Sequence, residues 1–299
     1  LKYAYYPGCS LEATAKEYNQ SAKIVARHLG VELWEIPDWS CCGATAAHNN
    51  DHLLSLALPA RNLALAEAEG LDVAVPCAAC FNRLRAAEAA VRESESMRTT
   101  ISEIIGRDYR ATNRTRALLD VMVNEVGLEK IKEQVVKPLT GLKLAAYYGC
   151  LLVRPPKLTA FDDPEDPTTM DHLIQALGGE AVSWSYKTEC CGGSLATART
   201  DIGVRMIFQI LRHARDAGAE GIVTACPLCF LNLDMRQNQA AASHGEQINL
   251  PIFYFTELMG IALGYAPKDL GLTTHFVNPV PMLEARDILR HPATRRETA

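Results

Sequence analysis

The chain reads as an α/β protein of two similar repeats, with mostly parallel sheets, cysteine ligands at the carboxyl ends of strands, and an inserted helical segment. Three observations predict this. All ten cysteines fall into two sets of nearly equal spacing, C-x31-CC-x34-C-x2-C from Cys9 to Cys80 and C-x39-CC-x34-C-x2-C from Cys150 to Cys229. Buried-strand patterns alternate with helical patterns around each set, as in parallel sheets joined by helical crossovers. The cysteines fall at the ends of those strands, where open α/β sheets place their sites.

In the first repeat, Lys2–Tyr6 is a short apolar strand that delivers Cys9 through the turn at Gly8. Gly30–Ile36 is a second strand shortly before Cys41 and Cys42. Pro59–Glu69 carries apolar residues at helical spacing, and Leu71–Cys77 is a strand with Cys77-x-x-Cys80 at its end. From about residue 83 to 137 Ala, Glu and Arg dominate, which predicts an amphipathic helical insertion that packs or meets a partner.

The frame then recurs. Lys143–Tyr148 delivers Cys150 through Gly149, Ala181–Tyr186 precedes Cys190 and Cys191, Ile202–Asp216 is helical, and Gly221–Cys226 carries the second CxxC. The boundary falls near Val136–Gly141, giving domains 1–140 and 141–299. The Pro/Asp-rich stretch Arg154–Met170 reads as a solvated loop that ends in a helix start at Thr168 or Thr169. The apolar run Leu250–Ala266 is short for a membrane span and contains Glu257, so it reads as a buried strand followed by a core helix.

Composition narrows the function classes. With 299 residues, 48% hydrophobic and 22% charged, the chain is globular, and a net charge of −5 without a basic stripe argues against nucleic-acid binding. The opening LKYAYYPGCS reads as a strand and not as a signal peptide, so a cytoplasmic protein without membrane insertion is expected. Secreted disulfide scaffolds are shorter chains, which leaves ligation or redox chemistry for the cysteines.

Five thiols per set are one too many for a structural zinc ion or a cubane cluster, each of which takes four. Successive side chains in an extended chain point apart, so Cys41 and Cys42 suit two irons of a larger cluster better than one small tetrahedron. A polynuclear iron–sulfur cluster is therefore favoured in each half. One cluster with one zinc ion, and redox thiols without metal, stay open as alternatives.

The cysteine pattern, together with CCGATAAH (Cys41–His48), LALPARNLALAE (Leu56–Glu67), VPCAACFNRL (Val75–Leu84), GCLLVRPPK (Gly149–Lys157) and HFVNPVPML (His275–Leu283), resembles the CCG signature of the heterodisulfide reductase B-type subunits, in their bacterial-type form, over nearly the whole chain. The resemblance implies two non-cubane 4Fe–4S clusters. One would sit on Cys9, Cys41, Cys42, Cys77 and Cys80, the other on Cys150, Cys190, Cys191, Cys226 and Cys229. It further implies a shared cavity in which a disulfide such as that of coenzyme M and coenzyme B is reduced, or in reverse formed, with one electron supplied from each side.

Each released thiolate needs a proton, and His48 is a candidate donor because histidine titrates near neutrality; the plain alternative is a surface histidine. Lys187, just before Cys190, is a candidate for tuning a cluster or binding an anionic substrate, against a solvated lysine. Arg154 is a candidate anion holder within the loop. The chain has neither a CxxCxxCxxxC ferredoxin run nor a GxGxxG fingerprint. A partner is thus implied, in the family a C-type iron–sulfur subunit fed by an A-type flavin subunit. The tail His291–Ala299 is expected to be disordered or to order against such a partner. The alternative functions are an electron-relay or quinone-reducing subunit of a multi-subunit oxidoreductase, including benzoyl-coenzyme A reductase or sulfur-oxidation complexes, and a zinc-stabilised adaptor.

Overall fold

Two four-stranded sheets, both entirely parallel, carry the same strand order in a computed structural model that describes residues 1–44 and 46–289. The first sheet is ordered β2-β1-β3-β4, with β1 at Lys2–Tyr5, β2 at Glu32–Glu35, β3 at Val73–Val75 and β4 at Thr115–Ala117. The second is ordered β6-β5-β7-β8, with β5 at Lys143–Tyr147, β6 at Glu180–Ala181, β7 at Gly221–Thr224 and β8 at Ile252–Tyr254. The central strands are buried runs such as Val73–Val75 and Leu144–Tyr147, because helices cover both faces of a parallel sheet.

Both crossover helices begin earlier than their apolar spacing predicts. The first runs His52–Ala68, since Asp51 caps it by accepting from Leu54 N–H at 2.7 Å, and Pro59 lies inside it and does not open it. The second runs Thr200–Asp216.

Two expectations need correction. The segment 83–137 is not helical throughout. After the helices Ala78–Glu93 and Glu95–Ile105 it supplies β4, the fourth strand of the first sheet. The second repeat has the same succession, Pro227–Met235 and Gln237–His244 before β8, so the insertion only lengthens a shared element. Three residues centred on Arg116, which pairs with Asp120 at 2.8 Å, give no apolar strand pattern to read. Likewise Ala181–Tyr186 is strand only at its first residue. Beyond it the indole N–H of Trp184 donates to Ala146 O at 3.0 Å, so a side chain takes over where the ladder stops.

The run 250–266 is the expected strand followed by the buried helix Phe255–Ala262, and Glu257 is satisfied there by Tyr254 N–H (2.8 Å) and His275 Nε2 (2.9 Å). The helix after the Pro/Asp loop starts at Thr169, with Asp162 accepting from the N–H groups of Thr168 and Thr169. The tail His291–Ala299 lies outside the described residues. Among those residues, no helix is long and apolar enough to cross a membrane.

The repeats are interlocked by an exchange of helices. Leu128–Glu133, which follows the first sheet, packs on Thr169–Ala176 of the second repeat, and Phe255–Ala262 packs on Lys16–His28 of the first. This reciprocal packing brings the carboxyl ends of the two sheets toward each other.

Candidate metal centres

Each set of cysteines hangs from the carboxyl ends of three strands. Cys9 follows β1, Cys41 and Cys42 lie in the loop after β2, and Cys77 caps the helix that leaves β3 and carries Cys80. Cys150, Cys190, Cys191, Cys226 and Cys229 repeat this around β5, β6 and β7. The last three cysteines of each set are buried. Cys9 and Cys41 are exposed, whereas Cys150 and Cys190 are partly covered, so the first set is the more open.

The same local device builds both sets. Gly8 and Gly149 sit at φ +69° and +64°, and a Cβ there would stand 3.1 Å from Cys80 Sγ and 3.0 Å from Cys229 Sγ. Only glycine lets the strand-end turn come this close to the last thiol of CxxC. Two residues before each glycine a buried tyrosine reaches the CC loop. Tyr6 Oη donates to Ser40 O at 2.8 Å, and Tyr147 Oη donates to Glu189 O at 2.6 Å, each the carbonyl just before a cysteine pair. Cys42 and Cys80 sulfurs then lie 3.4 Å apart and Cys191 and Cys229 sulfurs 3.6 Å apart. Ala-Tyr-Tyr recurs in the sequence before both glycines, at Ala4–Tyr6 and Ala146–Tyr148, but nothing in that pattern assigns the phenols a role.

Neighbouring thiols polarise each set. The side chains of Cys41 and then Cys80 hold Cys42 down to about 3, and that of Cys150 holds Cys190 down to about 6, while Cys41 and Cys150 are pushed up. The backbone N–H of Gly43 points at Cys41 Sγ (3.4 Å) and that of Gly192 at Cys190 Sγ (3.3 Å). Such sites already favour thiolate, the form in which cysteine binds metal.

The two sets meet. The thiols of Cys229 and, from the first set, Cys77 hold Cys226 well down, so the two CxxC turns lie near each other. Tyr18 Oη lies 3.2 Å from both Pro76 O and Ala225 O, the residues that precede Cys77 and Cys226, and shares its one proton between them. Its ring stacks on Tyr254 at 4.0 Å, which stacks in turn on Phe230 at 4.1 Å. All five cysteines of the second set line one cavity, whose remaining walls include Ala78, Ala79, Tyr148, Leu151, Gly193 and Leu228. Ala78 and Ala79 come from the first CxxC, so the cavity lies at the junction of the repeats.

The three other candidates lie elsewhere. His48 is exposed in the short helix Ala47–Asn50. Lys187 is buried and fully engaged, with Asp166 at 2.9 Å, Asp171 at 3.1 Å and Pro167 O at 3.0 Å. Its carbonyl accepts from Tyr148 N–H (2.8 Å) and Gly149 N–H (3.1 Å), so its backbone shapes the turn to Cys150. Arg154 is spent on Pro164 O, Glu165 and Thr188 Oγ1, each at 3.0 Å. None of the three lines the cavity.

Two rings of soft thiols, each with three buried members and a glycine that clears room beside one sulfur, fit iron–sulfur clusters. Among the described residues, no group of three or more His, Cys, Asp or Glu side chains converges as a ready single-ion site.

Comparison with known proteins agrees with this reading. The family model for the CCG cysteine-rich domain matches twice, at residues 3–85 and 144–234. The 8-methylmenaquinol:fumarate reductase membrane anchor subunit of Wolinella succinogenes is 34% identical over 93% of this chain and 97% of its own. The B-type subunit of the ferredoxin:CoB-CoM heterodisulfide reductase of Methanosarcina mazei is 30% identical over 94% of this chain and 96% of its own. A solved structure of a hypothetical protein from Helicobacter pylori superposes with a TM-score of 0.72 at 15% identity. That alignment covers 93% of this chain and 52% of the other, and shows the fold alone. The chain belongs to the CCG cysteine-rich domain family in its duplicated form, the family of the heterodisulfide reductase B-type subunits.

Proposed function

We propose that the protein is the catalytic iron–sulfur subunit of a heterodisulfide reductase-like complex, holding one non-cubane 4Fe–4S cluster on each five-cysteine set and reducing, or in reverse forming, a disulfide between them. The observation that carries this is the junction of the two sets, where Tyr18 Oη bridges Pro76 O and Ala225 O and where Ala78 and Ala79 of the first CxxC turn stand beside the cysteines of the second set. Reduction of R–S–S–R′ takes two electrons and two protons and releases RSH and R′SH. The clusters, when bound, would supply the electrons one from each side. The chain's own residues hold the arrangement: Tyr6 and Tyr147 fix the CC loops, and Tyr18 fixes the spacing of the two CxxC turns by bridging Pro76 O and Ala225 O. Electrons would arrive from a C-type iron–sulfur subunit, itself fed by an A-type flavin subunit. A cytoplasmic setting suits that assembly.

A second reading is a quinone- or quinol-linked relay protein. What favours it is the likeness to a relative named for 8-methylmenaquinol:fumarate reductase, at a higher identity than the heterodisulfide reductase relative described above. Anaerobically purified protein, supplied with a low-potential artificial donor, separates the two. Release of two thiols per disulfide consumed supports the first reading; donor oxidation that requires a quinone and ignores disulfides would replace it with the second.

A further inference from the structure

The two cysteine sets match thiol for thiol, yet their sulfurs do not receive the same hydrogen bonds. Backbone donors are alike: Gly43 N–H points at Cys41 Sγ at 3.4 Å and Gly192 N–H at Cys190 Sγ at 3.3 Å. Side-chain donors are not. Asn232, on the helix Pro227–Met235 that carries Cys229, is buried. Its amide reaches Gly193 O at 3.0 Å, Cys191 O at 3.4 Å and Cys191 Sγ at 3.5 Å. Two amide protons thus serve three acceptors, one of them a thiol sulfur.

The first repeat differs. Three residues past the last CxxC cysteine, where the second repeat has Asn232, the first has Arg83, whose guanidinium donates to Asn82 Oδ1 at 2.7 Å. Asn62 and Asn82, both buried, give their amide protons to the backbone. Asn62 accepts from Ser40 N–H at 2.8 Å and donates to Ser40 O at 2.9 Å, and Asn82 donates to Arg154 O at 2.9 Å. The proton of Tyr6 goes to Ser40 O. Among the described residues, no first-set sulfur takes an amide proton from a side chain.

Hydrogen bonds to the sulfurs and exposure to solvent both set the reduction potential of an iron–sulfur cluster. A thiolate on iron carries charge that a thiol lacks, and an N–H donor stabilises that charge most when the cluster holds its extra electron. Exposure favours reduction of the first set, whose Cys9 and Cys41 are open to water, while Cys150 and Cys190 of the second are partly covered. Added negative charge is therefore less well solvated in the second set. The Asn232 amide works against that penalty at one sulfur.

We propose that Asn232 is a tuning residue of the second cluster: its amide hydrogen bond to Cys191 Sγ raises that cluster's reduction potential and leaves the first cluster untouched. This rests on the proposed cluster in each five-cysteine set and not on the disulfide chemistry. Redox titration of the anaerobic, iron-loaded full chain, read by electron paramagnetic resonance, tests it in wild type and in Asn232→Leu, which keeps the bulk of the side chain and loses the donor. One cluster's midpoint should fall, its reduced-to-oxidised ratio at a fixed potential dropping about tenfold, a shift of about 59 mV for a one-electron couple. The other midpoint should stay where it is. Asn62→Leu, which loosens the first CC loop without removing a bond to sulfur, should leave the cluster that responds to Asn232→Leu unmoved. If Asn232→Leu loses iron, wild-type protein made with asparagine carrying the heavy nitrogen isotope in its side chain decides the matter: pulsed electron paramagnetic resonance should show altered nitrogen coupling on one signal only. Unchanged midpoints in iron-replete Asn232→Leu, equal shifts of both, or labelling that alters neither signal overturns the inference alone. Iron in the wild type too low for two clusters overturns the reading on which it rests.

Discussion

Tyr147 and Glu189 are joined by a 2.6 Å hydrogen bond from a buried phenol to the carbonyl that precedes Cys190, and Tyr6 makes the same bond to Ser40 before Cys41. The bond ties a strand end to a CC loop, so it acts on one cysteine set at a time. Tyr147→Phe keeps the ring and orphans one carbonyl, at a cost of about 1 kcal/mol. The expected outcome is a changed paramagnetic signal for the second cluster only, and for the first only in Tyr6→Phe. Identical changes in both variants would show that the phenols act on the fold as a whole.

Gly149→Ala and Gly8→Ala put a methyl group 3.0 Å from Cys229 Sγ and 3.1 Å from Cys80 Sγ at a positive φ. The backbone strain alone is roughly 1–2 kcal/mol, and the sulfur must move as well. Each variant should lose about half of the iron, the half held by its own set, as read by metal analysis of the soluble protein.

Lys187 is expected to matter for stability and His48 not to. Lys187→Met leaves Asp171 buried without its cation, which costs on the order of 3 kcal/mol. His48→Ala, at an exposed position, should stay within about 0.5 kcal/mol of wild type. Denaturant unfolding of the loaded protein measures both.

The buried pair His275–Glu257 gives stability a pH dependence. Burial acts to lower the His275 pKa, but the Glu257 charge and hydrogen bond, with Asp234 and Glu17 facing the same ring, raise it above 6.5 overall. A raised folded-state value means stabilisation that is complete below the unfolded value and lost as pH rises through the folded one. Glu257 is raised by its own burial, which is the same sign beginning from 4.5. The unfolding midpoint should therefore fall as pH rises from 6 to 8, and His275→Gln should remove the part of that slope above about 6.5.

How much of this was legible in the sequence depends on what each feature is made of. Cysteine spacing is covalent and discrete, so the duplication, the two cysteine sets and their places at strand ends could be read directly. Lys2–Tyr5 and Lys143–Tyr147 were legible because buried parallel strands are continuous apolar runs. Strand β4 was not, because three residues around a paired arginine hold no period. The exchange of helices between repeats depends on tertiary packing, which leaves no local signal. Lys187 and Arg154 looked like free cations because their partners, Asp171 and Glu165, come together with them only once the Pro/Asp loop has folded.

The central claim is that each half holds its own iron–sulfur cluster. Iron, acid-labile sulfide and zinc, determined on one sample of anaerobically purified protein, test it most directly. The account predicts about eight irons and as many sulfides per chain, from two four-iron clusters, with no zinc. About four irons with one zinc, or two zincs without iron, would contradict it.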